Sequence, residues 1–153
     1  MTEDPAALLA RILPKAIAWA EARSAQILAA GVPLSDFERR LAHLAGVYRP
    51  ELVRVSEVHA VPVPDDPELR EAALRAGMLG PGTVGLTLGY GIYILQGYRS
   101  NRLVSHECRH VYQYEAAGSI GAFLPRYLEQ VLSVGYEAAP FEVDARQHER
   151  DTA

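Results

Sequence analysis

The 153-residue chain is short of several residue types, and each scarcity removes a class of function. Cys108 is its only cysteine, which excludes an intrachain disulfide framework and any multi-cysteine zinc site. A lone thiol fits a reducing compartment. Lysine occurs once, at Lys15, no basic run exists, and the formal net charge is −4. Duplex nucleic acid is held largely by basic groups that displace counterions from phosphates, so no nucleic-acid partner is expected. No window approaches the ~18 consecutive apolar residues of a membrane span. The N-terminal stretch MTEDPAALLARILPKAIAWAEARSAQ starts acidic, and Arg11, Lys15 and Glu21 interrupt its apolar residues. A signal peptide would start basic and carry an unbroken apolar stretch, so a cytoplasmic protein is expected.

What is present is ordinary for a globular domain: 49% hydrophobic and 22% charged residues. The length suits a single domain over 1–153. Pro5 to Ala30 carries apolar residues at rough helical spacing, and Gly31-Val32-Pro33 stops it. Pro14 falls inside that pattern, where a kink is expected. Ser35 is a good cap for a second helix through about Ala45. ELVRVSEVHAVPV alternates in the manner of a strand, and Pro67 to Arg75 follows as a short helix capped by Asp66. TVGLTLGYGIYILQG suggests a β-hairpin about Gly89-Tyr90-Gly91. NRLVSHECRHVYQYEAAG is a helix ended by Gly118. A further helix carries Phe123, Leu124, Tyr127, Leu128, Val131 and Leu132, with Pro125 expected in its first turn. A polar helix opens after Pro140. The fold class expected is α+β, mostly helical, with a small antiparallel sheet before the Asn101–Ala117 segment.

The chemistry concentrates in LVSHECRHVYQYE. Helical residues turn by about 100° each, so His106 and His110 lie about 40° apart on one face, one turn apart. Two imidazoles so placed can reach one metal ion. Glu107, about 60° from His110, borders that metal rather than binding it. This is the arrangement of an HExxH zinc site with a carboxylate general base. Cys108 faces the opposite side and reads as core. A catalytic zinc needs a third protein ligand. Glu115 points elsewhere on the same helix, Glu129 lies off its helix's apolar stripe, and His148 is near the chain end. That leaves Glu137, Glu142 and Asp144. Glu142 is favoured, because Phe141 can anchor its helix and the small Ala145 permits close approach.

The run LTLGYGIYILQG followed by LVSHECRHVYQYE resembles small bacterial zincin-type metallopeptidase domains of the gluzincin kind. It is similar in particular to domains of unknown function with an LTLG…IY hairpin just before the HExxH helix. GYEAAPFEVDA looks like their P-x-E-x-x-A third-ligand segment. The resemblance covers about Thr83 to Ala145, within a metal-site core over 83–150; the N-terminal helices and strand over 1–80 share none of it. It implies one zinc per chain held by His106, His110 and Glu142, with Glu107 as general base and a peptide or protein substrate. It also implies an edge strand before the helix that pairs with extended substrate, here Gly91 to Leu95, with Ile92, Tyr93 and Ile94 as contacts. Tyr136 is the expected oxyanion donor, with Tyr127, Tyr112 and Tyr93 as alternatives. Arg109 stands where the family often has a small or apolar residue. Facing the cleft, it would bind a substrate carboxylate or narrow access; facing out, it is surface. Gln113 suits either the outer nitrogen of a ligand or the surface. Two other functions fit the same residues, a zinc hydrolase of another bond and a catalytically silent binding module.

Overall fold

The computed structural model describes residues 3–153. Helix α1 (Pro5–Ala30) leads into a short strand β1 (Val32–Pro33) and helix α2 (Asp36–Leu44). Strand β2 (Arg54–Val58) and helix α3 (Pro67–Arg75) precede the hairpin of β3 (Gly85–Leu88) and β4 (Gly91–Leu95). Helices α4 (Asn101–Ala117), α5 (Ile120–Val134) and α6 (Pro140–Gln147) complete the chain. No helix among the described residues is long and apolar enough to cross a membrane.

The helix ends follow local chemistry. Ser35 forms a reciprocal capping box with Glu38 at the start of α2. Asp66 accepts from the Leu69 amide to start α3. Ser100 accepts from the Leu103 amide to start α4, and Gly118, at φ 104°, closes it in the left-handed conformation that glycine tolerates. Ser119 caps α5 at once, so Pro125 falls in the second turn rather than the first. Helix α1 runs unbroken through Pro14, which faces solvent. Its buried side is Ile12, Ala16, Ala20, Ser24 and Ile27, and it packs on α5, α3 and the sheet of its own chain.

The sheet order is β1-β2-β4-β3. The hairpin is antiparallel, as expected, but β2 pairs with β4 in parallel, so the sheet is mixed rather than antiparallel. A parallel pair needs a crossover of a dozen or more residues, and α3 with its flanking loops supplies it. The consequence is that β4 is an interior strand. Its side chains alternate between two cores. Ile92 and Ile94 join Val55, Val104, Cys108 and Val111 beneath α4 and α2. Tyr93 joins Ile27, Tyr114 and Phe123 on the α1 and α5 side. Cys108 is thus core, and burial raises its thiol pKa far above the usual range.

Candidate metal centre

Helix α4 is polar on a side that it buries. His106, Glu107, His110 and Gln113 are all at most 9% exposed. Across from them stands Glu142, in the first turn of α6 and 2% exposed. Helix α6 comes close because Ala145, fully buried, puts only a methyl group on its inner side. The Glu142 carboxylate lies 3.3 Å from His106 Nε2 and 3.1 Å from His110 Nε2. One ligand atom from each residue falls within 4.8 Å of the others. Among the described residues, this buried triad can hold a metal ion.

The hydrogen bonds behind the triad show what must lie between its members. Gln113 Nε2 donates to Phe141 O at 3.0 Å and to Asp144 Oδ2 at 2.9 Å. Its Oε1 is therefore the atom that faces His110 Nδ1, at 2.8 Å. Accepting from nothing else there, Gln113 requires the His110 proton on Nδ1. A neutral His110 then turns its Nε2 lone pair toward a carboxylate oxygen. His106 repeats the arrangement, with Nδ1 2.8 Å from Glu149 Oε2 and Nε2 toward Glu142. Lone pairs so opposed repel unless a positive charge sits between them. A metal ion meets that need, and outer carboxylate and amide partners are those that orient metal-binding imidazoles.

Without metal, protons meet it. Burial pulls the His106 imidazole down, but Glu142, Glu107 and Glu149 outweigh it and raise the pKa to about 9. His110 is raised for the same reason, mainly by Glu142 against full burial. Burial pushes the Glu142 carboxyl up, yet its bonds from the two histidines hold it far below the usual carboxylate range. The sign of the pH dependence follows. His106 stabilises the metal-free fold fully below its ordinary 6.5, and that contribution fades as pH rises toward about 9. Glu142 contributes above its ordinary 4.5 and loses its effect only in strong acid. A metal must displace the histidine protons, so it gains as they leave. The rise in Tm on saturation with zinc is expected to be larger near pH 9 than near pH 6.5. An equal or smaller rise at the higher pH, by calorimetry, contradicts this arrangement.

Glu107 stands beside the triad, 5% exposed, and Thr87 Oγ1 donates to its Oε1 at 2.8 Å. A Cβ at Gly85 would fall 2.8 Å from Glu107 Oε2, so glycine there leaves the carboxylate its space. His106 and Glu107 open onto a cleft of about 720 Å³, rimmed by the Gly77–Gly85 loop, Tyr98, Arg102 and Tyr136. Tyr127 donates to Glu142 Oε2 at 2.6 Å, steadying the triad's carboxylate.

The structure therefore brings together His106, Glu107, His110 and Glu142, with Tyr136 on the same cleft. Glu137 is exposed, and Asp144 is engaged elsewhere. Arg109 does not reach the cleft. Its Nε donates to Asp144 Oδ2 at 2.7 Å, its Nη1 to Ala45 O at 2.9 Å, and its guanidinium stacks over Tyr112. It ties α4 to α6 and α2, because the faces beside it are filled by those helices rather than by solvent. Ile92, Tyr93 and Ile94 are also no substrate contacts. They are at most 5% exposed, and β4 already pairs on both edges. The free edge beside Glu107 belongs to β3. Gln113 is buried and bonded rather than on the surface.

Two partners escaped the sequence reading. Thr87 had a faint signal, as the one polar residue within the Leu86–Leu88 run. Glu149 had none. It arrives because the chain after α6 folds back along α4, where the Arg150 amide donates to Ser105 Oγ at 3.0 Å and Asn101 Nδ2 to Asp151 O at 3.0 Å. Gln113→Ala and Glu149→Ala are each expected to weaken metal binding by about 10–100-fold without preventing folding. Isothermal titration with zinc checks this, and unchanged affinity in both variants contradicts it.

No family model, curated protein or solved structure matches this chain. The functional reading rests on the site itself.

Proposed function

We propose that this chain is a small zinc-dependent metallopeptidase. The observation that carries the reading is Glu107, a buried carboxylate held by Thr87 beside a His106–His110–Glu142 metal triad at the floor of an open cleft. Two imidazoles and one carboxylate suit zinc better than an all-oxygen or thiolate metal. Three protein ligands leave a position free, as catalytic zinc requires. Bound there, zinc would supply a Lewis acid and lower the pKa of a water toward ~7.

The chain's own groups do the rest. Glu107 takes the proton of the attacking water and returns it to the leaving amine. Thr87 holds the carboxylate with one oxygen turned to the cleft. Tyr136, which lines the same cleft, is assigned as donor to the developing oxyanion. Burial and the nearby charges of Glu142 and Glu107 keep its hydroxyl protonated, with a pKa well above the usual range. Strand β3, not β4, offers an unpaired edge to an extended peptide at Gly85, since Thr87 O on that edge already accepts from Tyr114.

A silent binding module is the weaker reading. A carboxylate at 5% exposure, held by Thr87 beside the triad without being one of its members, is accounted for by catalysis and not by metal binding alone. The test is direct. Zinc-loaded protein is incubated with a mixed peptide library, and new termini are read by mass spectrometry. Cleavage that stops with a chelator and returns with zinc is expected. No cleavage of any peptide by fully loaded protein overturns the peptidase reading.

A further inference from the structure

Behind Glu107 the site continues into a narrow chamber of about 80 Å³. It shares Met78, Leu79, Gly85, Glu107 and Tyr136 with the open cleft, so its mouth is at the reacting atoms. Its far walls come from the N-terminal half of the chain. Ile12, Ala16 and Trp19 of α1 form one side, and Leu69, Ala72 and Ala73 of α3 another. Leu124 and Leu128 of α5 close it. The polar groups at its inner end are engaged. Tyr114 OH donates to Thr87 O, Tyr127 OH to Glu142, and Thr87 to Glu107.

We infer that this chamber receives an aliphatic side chain of the substrate, of leucine size, on a residue flanking the bond to be cut. The inference rests on the metallopeptidase reading and adds the substrate class. Size excludes larger groups. An engineered apolar cavity of about 150 Å³ holds a benzene ring, and this one is about half as large. Chemistry selects against polar ones at depth, since the alanine, leucine and isoleucine side chains from α1, α3 and α5 give a charged or amide group no hydrogen-bond partner to offset its burial; the carboxylates lie at the metal-site end. The chamber's inner surface is mostly apolar, so an entering aliphatic group gains contacts there and leaves water. The first half of the chain thereby acquires a role in selecting substrate.

Trp19, the only tryptophan, lines the chamber and reports its occupancy. The full chain is titrated with N-acetyl-leucinamide, N-acetyl-glycinamide and N-acetyl-phenylalaninamide, with chelator and again with zinc, following Trp19 emission. At about fourfold per buried carbon, the leucine probe is expected to bind on the order of a hundredfold tighter than the glycine probe. The phenylalanine probe should gain no such advantage. Ala72→Leu, at a half-buried position, and Ala16→Leu fill the chamber and should erase the leucine preference while zinc uptake stays at one per chain. Equal affinity for the three probes overturns the inference, as does an intact preference in either variant shown to be folded by circular dichroism. These outcomes are independent of catalysis. A protein that binds the leucine probe but cuts no peptide loses the peptidase reading and keeps the chamber.

Discussion

The wild type is expected to take up one zinc per chain on reconstitution, and His110→Ala is expected to leave the purified protein without stoichiometric metal. The same holds for His106→Ala and Glu142→Ala. Outer partners are worth about 10–100-fold in affinity, and a direct ligand must cost more than that. The effect extends to the metal-free fold. Glu142 is 2% exposed and accepts from both histidines and from Tyr127. Removing His110 leaves that buried carboxylate short of one cationic partner. Breaking a buried ion pair from one side costs about 3–5 kcal/mol. Denaturation in urea should therefore show His110→Ala less stable than the wild type even with chelator present. His148→Ala is the control, since His148 pairs with the backbone and side chain of Asp144 and lies outside the triad, so this variant should take up metal like the wild type. Metal analysis decides the matter. A wild-type chain that takes up no metal, or a His110→Ala chain that keeps one zinc, would sink the triad.

Glu107→Gln should separate binding from chemistry. Glutamine has the same shape, and Thr87 Oγ1 can still donate to its amide oxygen, so the fold and the metal should persist. The amide cannot accept the proton of an attacking water. Loss of a positioned general base costs about 10²–10⁴-fold in rate. The expected result is one zinc per chain, an unchanged Tm, and peptide cleavage lower by that factor in kcat with little change in KM. Cleavage at the wild-type rate would remove Glu107 from the mechanism. Loss of zinc from this variant would mean that Glu107 is a ligand rather than a base.

The two variants also mark where sequence reading succeeds. The 100° helical turn places His106, Glu107 and His110 before any neighbour is known. Arg109 shows the limit. A helical wheel says which way it points, but only the packed α2 and α6 reveal that Ala45 and Asp144 wait there. The strand GIYIL is a sharper case. Its unbroken apolar run is the pattern of a strand covered on both faces. Reading it as the edge of a hairpin overlooked β2, which joins it in parallel from more than thirty residues earlier in the chain.

By itself the sequence determined the local features: the caps at Ser35, Asp66 and Ser100, the stop at Gly118, the hairpin, and the shared helical face of His106, Glu107 and His110. Each depends on side chains within a turn or two of one another, so periodicity and capping chemistry suffice. It also favoured Glu142 among three carboxylates as the group to join the histidines. Only the tertiary structure set Glu142, 36 residues from His106, against both imidazoles, and added Glu149, 43 residues away. Only the tertiary structure put β4 inside the sheet and laid α1 and α3 around a chamber behind Glu107. Those outcomes depend on which buried faces meet when distant segments pack, and no local periodicity encodes that choice.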